Sequence, residues 1–468
     1  MKRVSSGNDA DLHPLLQLPS AVLLKITKCL PDAPSAFAFL DILGTVDVRG
    51  DPLEHLWQLG QTCDQTDLWP DLRLGKSCCT HNQTIVNDLV VVISHYRRVV
   101  LEGEFNVKWL LQHLNLSTSV ECKSVPDDWD PEIEYSAAWY AQWAQLHITK
   151  VNVSLLDWNP LVTVLPNLQQ SLTELAIQYS SDSHLAPITA FLATSSITKL
   201  SLECLRVMFE APAYSVQMLR DLICWLEANQ VRSLTLDPCR WDDQAICRDW
   251  IAAVFTCPTL KELQLSDCMV SPLPTITSSL VMRYLQLNLC YLTATDIVQL
   301  SVGLLDSKVE RLSLAQTNRE GTEDGFKILL EALPRSKVTH LDLSYCELDD
   351  QTLVALAPLL PPTRLELLVL DGNPITNAGV SALASAIRIS STIQNLSLRD
   401  CTQITVEGIL ALVTFTSDRL EPMKKLVFGA TDNIAPKDIE SIHLSAKTLG
   451  VEHLDLFLRP GRFQYDQT

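Results

Sequence analysis

The chain has 468 residues, of which 47% are hydrophobic and 19% charged, and its formal net charge is −19. This composition is typical of a folded chain, and the acidic charge disfavours a nucleic-acid partner, since no Lys/Arg cluster is longer than Arg97-Arg98 or Lys424-Lys425. No run of about 18 apolar residues predicts a membrane span, and the polar segment Met1 to Asp11 lacks the pattern of a signal peptide. We therefore expect a folded protein without nucleic-acid or membrane partners.

Short helical patterns open the chain. Leu15 to Pro31 places Pro19 before a stripe of apolar residues at helical spacing, and Asp32 to Leu43 continues in the same way. The segments LWQL (residues 56–59) and LWPDLRL (residues 68–74) follow. These patterns predict three small helices that close on a Trp-containing tail.

This order resembles an F-box, which has a Leu-Pro opening, an Ile-containing first helix and a closing L-W-x-x-L-x-L. The residues that match its apolar positions are Leu18, Pro19, Leu24, Ile26 and Leu30, followed by Trp69 and Leu72 in the tail. The resemblance implies that the first group docks on a Skp-type adaptor of a cullin-RING ubiquitin ligase. The family's Val-Cys-x-x-Trp segment is not recognisable between Leu43 and Leu68. The alternative is a helical cap that shields the first unit of the next domain.

Residues 76–165 are interpreted as a transition. Tyr96 to Leu101 and Ile148 to Val153 read as strands of degenerate first repeats. Between them, residues 120–143 predict an acidic surface insertion with four aromatic residues, which pack on the neighbouring repeats or bind a partner: Tyr135, Trp139, Tyr140 and Trp143.

Residues 166–468 carry a repeat. Its clearest copies are VTHLDLSYCEL (residues 338–348) and LELLVLDGNPI (residues 365–375), which both read L-x-x-L-x-L-x-x-(C/N)-x-L. Alternation along a strand buries Leu341 and Leu343 and leaves Asp342 on the outer face.

The repeat can be followed by the first leucine of each L-x-L. These leucines are residues 175, 200, 234, 263, 285, 312, 341, 368, 396, 426 and 454. A period near 28 residues leaves room for a helix, and Asp349-Asp350 predicts a helix cap before Leu353, Leu356 and Leu360. Three predicted helices have a glycine near their start: Gly325, Gly379 and Gly408.

These motifs resemble the leucine-rich repeats of intracellular proteins of the ribonuclease-inhibitor type. The resemblance implies an α/β solenoid with a curved parallel sheet inside and helices outside, preceded by a small all-α N-terminal segment of residues 1–75. It also implies that the Cys or Asn at the ninth position has a structural role in the turn after the strand, and that the glycines near the helix starts lie in crowded turns. Cys239, Cys268, Cys290, Cys346 and Cys401 occupy ninth positions. We predict that Cys268, Cys290, Cys346 and Cys401 are buried and unpaired, in a reducing compartment that is cytoplasmic or nuclear.

Catalytic and metal-binding motifs are weak in this sequence. Gly75-Lys76-Ser77 copies the end of a phosphate loop, but Pro70 stands where its first glycine would be. Cys78, Cys79 and His81 lack the ligand spacing of a zinc site. We expect no enzymatic activity, no cofactor and no metal.

The outer side chains of the strands form the predicted binding face, because parallel strands place them on a regular grid. The candidate protein-binding residues are His340, Asp342, Asp371, Asn395, Arg399, Lys425, His453 and Asp455. Their mixed charge favours a protein partner over a phosphate one. The alternative is that Asp371 and Arg399, side by side on neighbouring strands, pair with each other and bind no partner.

We consider three functions. The first is a protein-interaction scaffold of the F-box and leucine-rich-repeat kind, which presents a partner to a ubiquitin ligase. The second is a stand-alone repeat protein that inhibits or sequesters a protein partner, for which the acidic charge favours a basic target. The third, a GTPase-activating protein on the same repeat, ranks last because that class calls for an acidic tail, and residues 457–468 contain Arg459 and Arg462.

Overall fold

The computed structural model describes residues 18–75, 83–103, 105–125, 137–155, 159–179, 185–204, 213–241, 243–317, 323–417, 419, 423–429, 436–451 and 453–456. The chain divides into two compact units. The first comprises residues 1–180 and 194–197, and the second comprises residues 181–193 and 198–468. Each unit has its own layer of parallel strands and its own helices.

The first unit opens with short helices. In the described residues before the first strand these are α1 Ser20–Thr27, α2 Ala33–Leu43, α3 Val46–Arg49, α4 Leu53–Thr62 and α5 Gln65–Leu68. Helices α1 and α2 lie where the apolar stripes predict them, and the Asp32 carboxylate caps α2 by accepting a bond from Ser35 N at 2.8 Å. The sequence predicts three helices here, and the structure has five. The two additional helices, α3 and α5, are single turns of 4 residues, which are too short to show a helical periodicity.

The Trp-containing tail ends in a strand. Leu72–Leu74 forms β1, which pairs in parallel with β2, Arg98–Leu101. Leu72 is fully buried, and Trp69 is buried with its Nε1 donating to Leu30 O at 3.0 Å. The tail therefore belongs to the core of the first unit.

Further strands extend this sheet in chain order. They are β3 Ser119–Cys122, β4 Ile148–Leu155 and β5 Glu174–Tyr179, all parallel. The helices between them are α6 Gln83–Val92, α7 Val107–His113, α8 Ala137–Trp143 and α9 Asn159–Val164. Strands β2 and β4 lie where the sequence predicts two strands, whereas β3 occupies the start of the predicted insertion.

The aromatic residues that follow the acidic stretch pack into the first unit. Tyr140 and Trp143 are buried, and the ring centroids of Trp139 and Phe105 lie 5.8 Å apart. These contacts confirm the packing role for these aromatics. Residues 126–136, which include the acidic residues and Tyr135, lie outside the described residues.

The second unit repeats one strand after another. Its parallel sheet consists of β6 Lys199–Cys204, β8 Ser233–Asp237, β10 Glu262–Ser266, β11 Tyr284–Asn288, β12 Arg311–Ser313, β13 His340–Asp342, β14 Leu367–Val369, β15 Asn395–Leu398, β16 Lys425–Phe428 and β17 His453–Leu456. A separate parallel pair is β7 Ala213–Tyr214 with β9 Arg240–Trp241.

Helices alternate with most of these strands. They are α10 Leu185–Leu192, α11 Val216–Ala228, α12 Gln244–Thr256, α13 Ala294–Leu304, α14 Glu323–Ala332, α15 Asp350–Leu356, α16 Asn377–Ile389, α17 Val406–Ser417 and α18 Pro436–Thr448. Residues 267–283, between β10 and β11, are all described and form no helix. Because it contains no helix, the connection from β10 to β11 is shorter than the other connections between strands of the parallel sheet of the second unit.

The predicted register is confirmed in the second unit. From β10 to β17, the first leucine of each L-x-L lies opposite its counterpart in the next strand. Leu341 and Leu343 are buried, with 1% and 0% exposure, while Asp342 is half-buried on the other face. The core of this unit is a stack of such leucines, which is the source of its hydrophobic stabilisation.

The predicted helix starts are also confirmed. The Asp349 carboxylate caps α15 by accepting a bond from Thr352 N at 2.9 Å. A Cβ atom on Gly379 would lie 2.3 Å from Asp350 Oδ1, and one on Gly408 would lie 2.4 Å from Asn377 Oδ1. Both glycines therefore begin a helix where the preceding repeat leaves no room for a side chain.

Asn373 shows why the ninth position is structural. Its amide nitrogen donates to Leu343 O and Leu370 O at 2.9 and 2.8 Å, and its amide oxygen accepts from Cys346 N and Leu348 N, both at 3.0 Å. The side chain thus satisfies buried backbone groups of two repeats. Cys290, Cys346 and Cys401, at this position, donate their thiol to a carbonyl of the preceding repeat, as Cys346 does to Leu314 O at 3.0 Å.

The prediction that Cys268 is unpaired is wrong. Cys239 and Cys268 form a disulfide, with their Cα atoms 4.9 Å apart. The stacking of repeats places ninth-position residues within the ordinary range for a disulfide. Cys290, Cys346 and Cys401 are buried and free, as predicted, and burial raises the pKa of the Cys290 thiol to about 12.

We expect this difference between the cysteines to be visible chemically. In unfolded, alkylated protein that was purified without reductant, mass spectrometry should find Cys239 and Cys268 joined and Cys290, Cys346 and Cys401 alkylated. Reduction before alkylation should add two labelled thiols and leave the other cysteines unchanged. Alkylation of Cys239 and Cys268 without reductant would contradict the pairing.

Candidate protein-binding surfaces

Helix α1 and the residues beside it carry the positions that were predicted to contact an adaptor: Leu24 and Ile26 lie in α1, Leu18 and Pro19 precede it, and Leu30 follows it. Leu23 and Thr27 are fully buried on its inner face, where Thr27 Oγ1 donates to Leu23 O at 2.9 Å. Pro19, at the N-cap, is exposed. The remaining predicted residues are half-buried: Leu18, Leu24, Ile26 and Leu30. The outer face of α1 thus keeps apolar surface in contact with solvent.

A buried ion pair holds the helices next to α1. Arg49, 4% exposed, donates from Nε to Glu54 Oε2 at 2.6 Å and from an Nη to Leu40 O at 3.1 Å. Its guanidinium lies 4.2 Å from the centre of the Trp57 ring. Burial acts to raise the pKa of Glu54, but hydrogen bonds from Arg49 and Gln58 outweigh it and lower that pKa. Helices α2, α3 and α4 are therefore fixed to one another by a paired, hydrogen-bonded charge.

The predicted binding residues of the second unit lie in aligned rows. His340, Leu367, Asn395, Lys425 and His453 are opposite one another in β13 to β17. A second row contains Asp342, Val369, Ser397, Val427 and Asp455. The structure therefore brings these candidates onto one face of the sheet, as the alternation of each strand predicts.

Several of these candidates already have partners within the chain. Lys425 Nζ lies 2.8 Å from an oxygen of Asp455, its diagonal neighbour. Asp342 accepts bonds from Ser344 N at 3.0 Å and from Ser313 Oγ at 3.0 Å. His453, Lys425 and Arg399 are exposed, whereas His340, Asp342, Asp371, Asn395 and Asp455 are half-buried.

Asp371 and Arg399 interact through the backbone of Arg399. Arg399 N donates to Asp371 Oδ1 at 2.8 Å. Burial raises the pKa of Asp371, although hydrogen bonds from Ser397 and from Arg399 N act in the opposite direction. The Asp371 carboxylate thus connects two repeats at the ends of their strands.

A row of residues with left-handed backbone was missed by the sequence analysis. Four residues after the first strand leucine, each repeat from β10 to β15 has a positive φ between 53° and 65°: Asp267, Leu289, Gln316, Tyr345, Gly372 and Asp400. Backbone N–H groups in this row donate to the next repeat, as Tyr345 N does to Asp371 O at 2.7 Å. Gly372 is the only glycine among these six residues, so it is the only one whose residue type indicates this conformation in the sequence.

Tyr345 is the largest polar side chain in this row. Its hydroxyl donates to Asp400 Oδ2 at 2.6 Å, and its ring covers Gly372, where a Cβ atom would lie 2.1 Å from Tyr345 Cε1. The hydrogen bond to Asp400 raises the pKa of Tyr345 to about 12. Tyr345 is 43% exposed, so it presents an aromatic surface that is held across three consecutive repeats.

Metal binding and membrane insertion are two further possibilities for the described residues. Within those residues, no group of three or more His, Cys, Asp or Glu side chains is arranged to hold a metal ion. No helix in the same residues is both long and apolar enough to cross a membrane. The weak motifs at Lys76, Ser77, Cys78, Cys79 and His81 lie outside the described part of the chain.

Comparison with known proteins supports the repeat. Residues 336–357 and 363–384 match the family model described as "Leucine Rich repeat". Among solved structures, the chain is similar to one from yeast titled "Crystal structure of Rad7 and Elc1 complex in yeast", with 14% identity, a TM-score of 0.43, and 90% of this chain and 89% of that chain covered. The matched residues of the family model contain β13, α15, β14 and most of α16, and they do not include residues 1–75. The repeated strand–turn–helix units and the match to the family model together show a leucine-rich repeat fold.

Proposed function

We propose that this protein is an interaction scaffold that docks a Skp-type adaptor through α1 and holds a protein partner on the outer face of its strands. In this role it is a substrate receptor of a cullin-RING ubiquitin ligase. The observation that carries the proposal is the incomplete burial of Leu18, Leu24, Ile26 and Leu30, beside the exposed Pro19. A helix that served only as a cap would bury these apolar side chains in its own unit.

The proposed partner surface is the set of outer strand residues. It comprises His340, Asp342, Asp371, Asn395, Arg399, Lys425, His453 and Asp455, with Tyr345 beside them. Mixed charge with an exposed aromatic residue is typical of surfaces that bind proteins. The proposal also places the chain in the cytoplasm or nucleus, and it therefore requires Cys239 and Cys268 to be reduced in the cell.

A second candidate is a stand-alone repeat protein that sequesters a basic protein. One observation favours it: acids concentrate at the carboxyl ends of the strands of the second unit, namely Glu203, Asp237, Asp267, Asp371 and Asp400. Such a row raises the rate of encounter with a basic partner, and the effect falls as salt screens it. This candidate does not need α1 to bind anything.

The two candidates differ in a pull-down with the Skp-type adaptor. We expect the unchanged chain to retain the adaptor and the double variant Pro19→Ala, Ile26→Lys to lose it, because the variant places a charge on the apolar face. A matched control is Ile389→Lys, which adds the same charge at a side chain of α16 that is 68% exposed. The control should bind the adaptor like the unchanged chain.

Stability is measured on the same proteins to separate docking from folding. We expect the melting temperatures of the double variant and of Ile389→Lys to stay close to that of the unchanged chain. Absence of adaptor binding by the unchanged chain, together with a large loss of stability in the double variant, would assign α1 to capping and would favour the sequestering protein.

A further inference from the structure

The first unit contains a groove that shares only Leu24 with the two proposed surfaces. It has a volume of about 530 Å³ and lies between α1, the start of α4, the turn at Trp69-Pro70-Asp71 and the segment that follows α6. Its floor is apolar and buried, formed by Leu53, Leu56, Trp69, Val92 and Tyr96. A volume of this size is sufficient for one or two bulky apolar side chains of a ligand.

The rim of the groove is cationic. It is lined by Lys25 of α1, by Lys28 directly after α1 and by Arg97 directly before β2, and all three are exposed. Among the described residues none of these three cations has an ion-pair partner. The one acid of the lining, Asp71, is bound by Arg98. In a chain of net charge −19, this rim has a local excess of positive charge.

His95 completes the lining beside Lys28. Burial lowers the pKa of His95, and the positive charge of Lys28 lowers it further. The imidazole is therefore expected to be neutral near pH 7, and the positive charge of the groove comes from Lys25, Lys28 and Arg97. Lys25 and Lys28 are three residues apart at the end of one helix, so they stand on the same side of the groove.

We propose that this groove binds an acidic peptide segment of another protein, with a bulky apolar side chain on the floor and carboxylates at Lys25, Lys28 and Arg97. Charge complementarity selects the acidic flanks, and the apolar floor selects the anchor. The exposed rim leaves the groove open to solvent, so an extended peptide can cross it with both of its ends outside. Small molecules, by contrast, are usually enclosed over most of their surface. Leu24 lines this groove and also belongs to the proposed docking face, whereas Leu18, Pro19, Ile26 and Leu30 do not line the groove.

Cys29 provides a direct probe of occupancy. It lies in the lining and is exposed, and Cys224 is an exposed cysteine of the second unit outside the groove. The probe ligand is a short synthetic peptide with a Leu-Phe pair between runs of Asp and Glu. We expect this peptide to slow the alkylation of Cys29 by iodoacetamide at least about fivefold at saturation and to leave Cys224 unchanged, both followed by mass spectrometry.

Two control peptides separate the two parts of the recognition. One replaces the acids by glutamine, and the other replaces Leu-Phe by serine; both should bind at least about tenfold more weakly by fluorescence polarisation. Binding of the acidic peptide should also weaken as salt is raised, because the contacts at the rim are screened. Equal affinity for the acidic and the glutamine peptides would overturn the proposal.

Variants of the chain locate the site. Lys25→Glu with Lys28→Glu should lower the affinity for the acidic peptide by about tenfold or more, since two attractive contacts become repulsive. Lys108→Glu, at an exposed lysine of α7 outside the groove, should have no effect. Ile26→Lys should leave peptide binding intact, so failure of adaptor docking and failure of this inference are distinguishable.

An amphiphilic small molecule is the competing occupant. If laurate protects Cys29 and the acidic peptide does not, the groove takes a small carboxylate and the peptide proposal is wrong. If Lys25→Glu with Lys28→Glu binds the peptide as tightly as the unchanged chain, the peptide lies elsewhere and the proposal is also wrong.

Discussion

Replacing Leu343 by Asp is expected to unfold the repeats around β13. Leu343 is fully buried, and the new carboxylate would have no cation beside it in a layer of leucines. Truncating such a residue costs about 2–5 kcal/mol, and burying an unpaired charge adds several more, so we expect a loss of more than about 5 kcal/mol in the free energy of unfolding. Circular dichroism during urea unfolding measures this change.

The matched control adds the same charge in the same repeat. Gln351→Asp places a carboxylate on the exposed side of α15, where we expect a change of about 0.5 kcal/mol or less. Because each repeat contacts only its neighbours, the damage from Leu343→Asp should be largest in β12 to β14. A variant that unfolds like the unchanged chain would show that Leu343 does not face the core.

Replacing Asn373 by Ala is expected to have the second largest effect. The change leaves four buried backbone groups of two repeats without their side-chain partner: Leu343 O, Leu370 O, Cys346 N and Leu348 N. Each unsatisfied buried group costs about 1–3 kcal/mol, and partial relaxation reduces the total, so we expect a loss of about 3–5 kcal/mol.

Two further variants test this explanation. Asn395→Ala removes an asparagine whose amide makes one bond of 3.4 Å to Glu366 O, and its cost should be under about 1 kcal/mol. The loss of stability in Asn373→Cys should fall between those of Asn373→Ala and Asn395→Ala. A thiol can donate to a carbonyl, as Cys346 does, but it is a poor replacement for the acceptor Oδ1. An equal cost for Asn373→Ala and Asn395→Ala in urea unfolding would contradict a structural role for the ninth position.

The repeat register was predictable because the L-x-L pairs encode it directly. A shift by one residue would turn Leu341 and Leu343 to the outer face, so only one register buries the leucines. The same pattern was present in Leu72-Arg73-Leu74, but the F-box resemblance assigned these residues to a Trp-containing tail after the helices. Their pairing with Val99 to Leu101 shows that the pattern of two leucines was the stronger signal.

Other features could not be derived from the pattern of leucines. Strand β3 has only Val120 and Cys122 as inward residues, which is too short a signal beside an acidic segment. The left-handed row was hidden because five of its six residues are not glycine, and their conformation is imposed by stacking of repeats. The same stacking predicts that Cys239 and Cys268 are close, but proximity alone does not determine whether they are bonded.

The exposed face of α1 was undetermined for a related reason. Its sequence SAVLLKIT is apolar on more than one side, so periodicity does not distinguish the core face from a binding face. The structure resolves this by burying Leu23 and Thr27 and leaving Leu24 and Ile26 half-buried. The use of that face is the central claim of the proposed function.

Hydrogen–deuterium exchange of the full chain with and without the Skp-type adaptor tests this claim most directly. If α1 is the docking surface, saturating adaptor should slow amide exchange in peptides that cover residues 18–30, while exchange in the strands from β13 to β15 should not change. The contradicting result is unchanged exchange at residues 18–30 with saturating adaptor, or protection that appears only in the strands of the second unit.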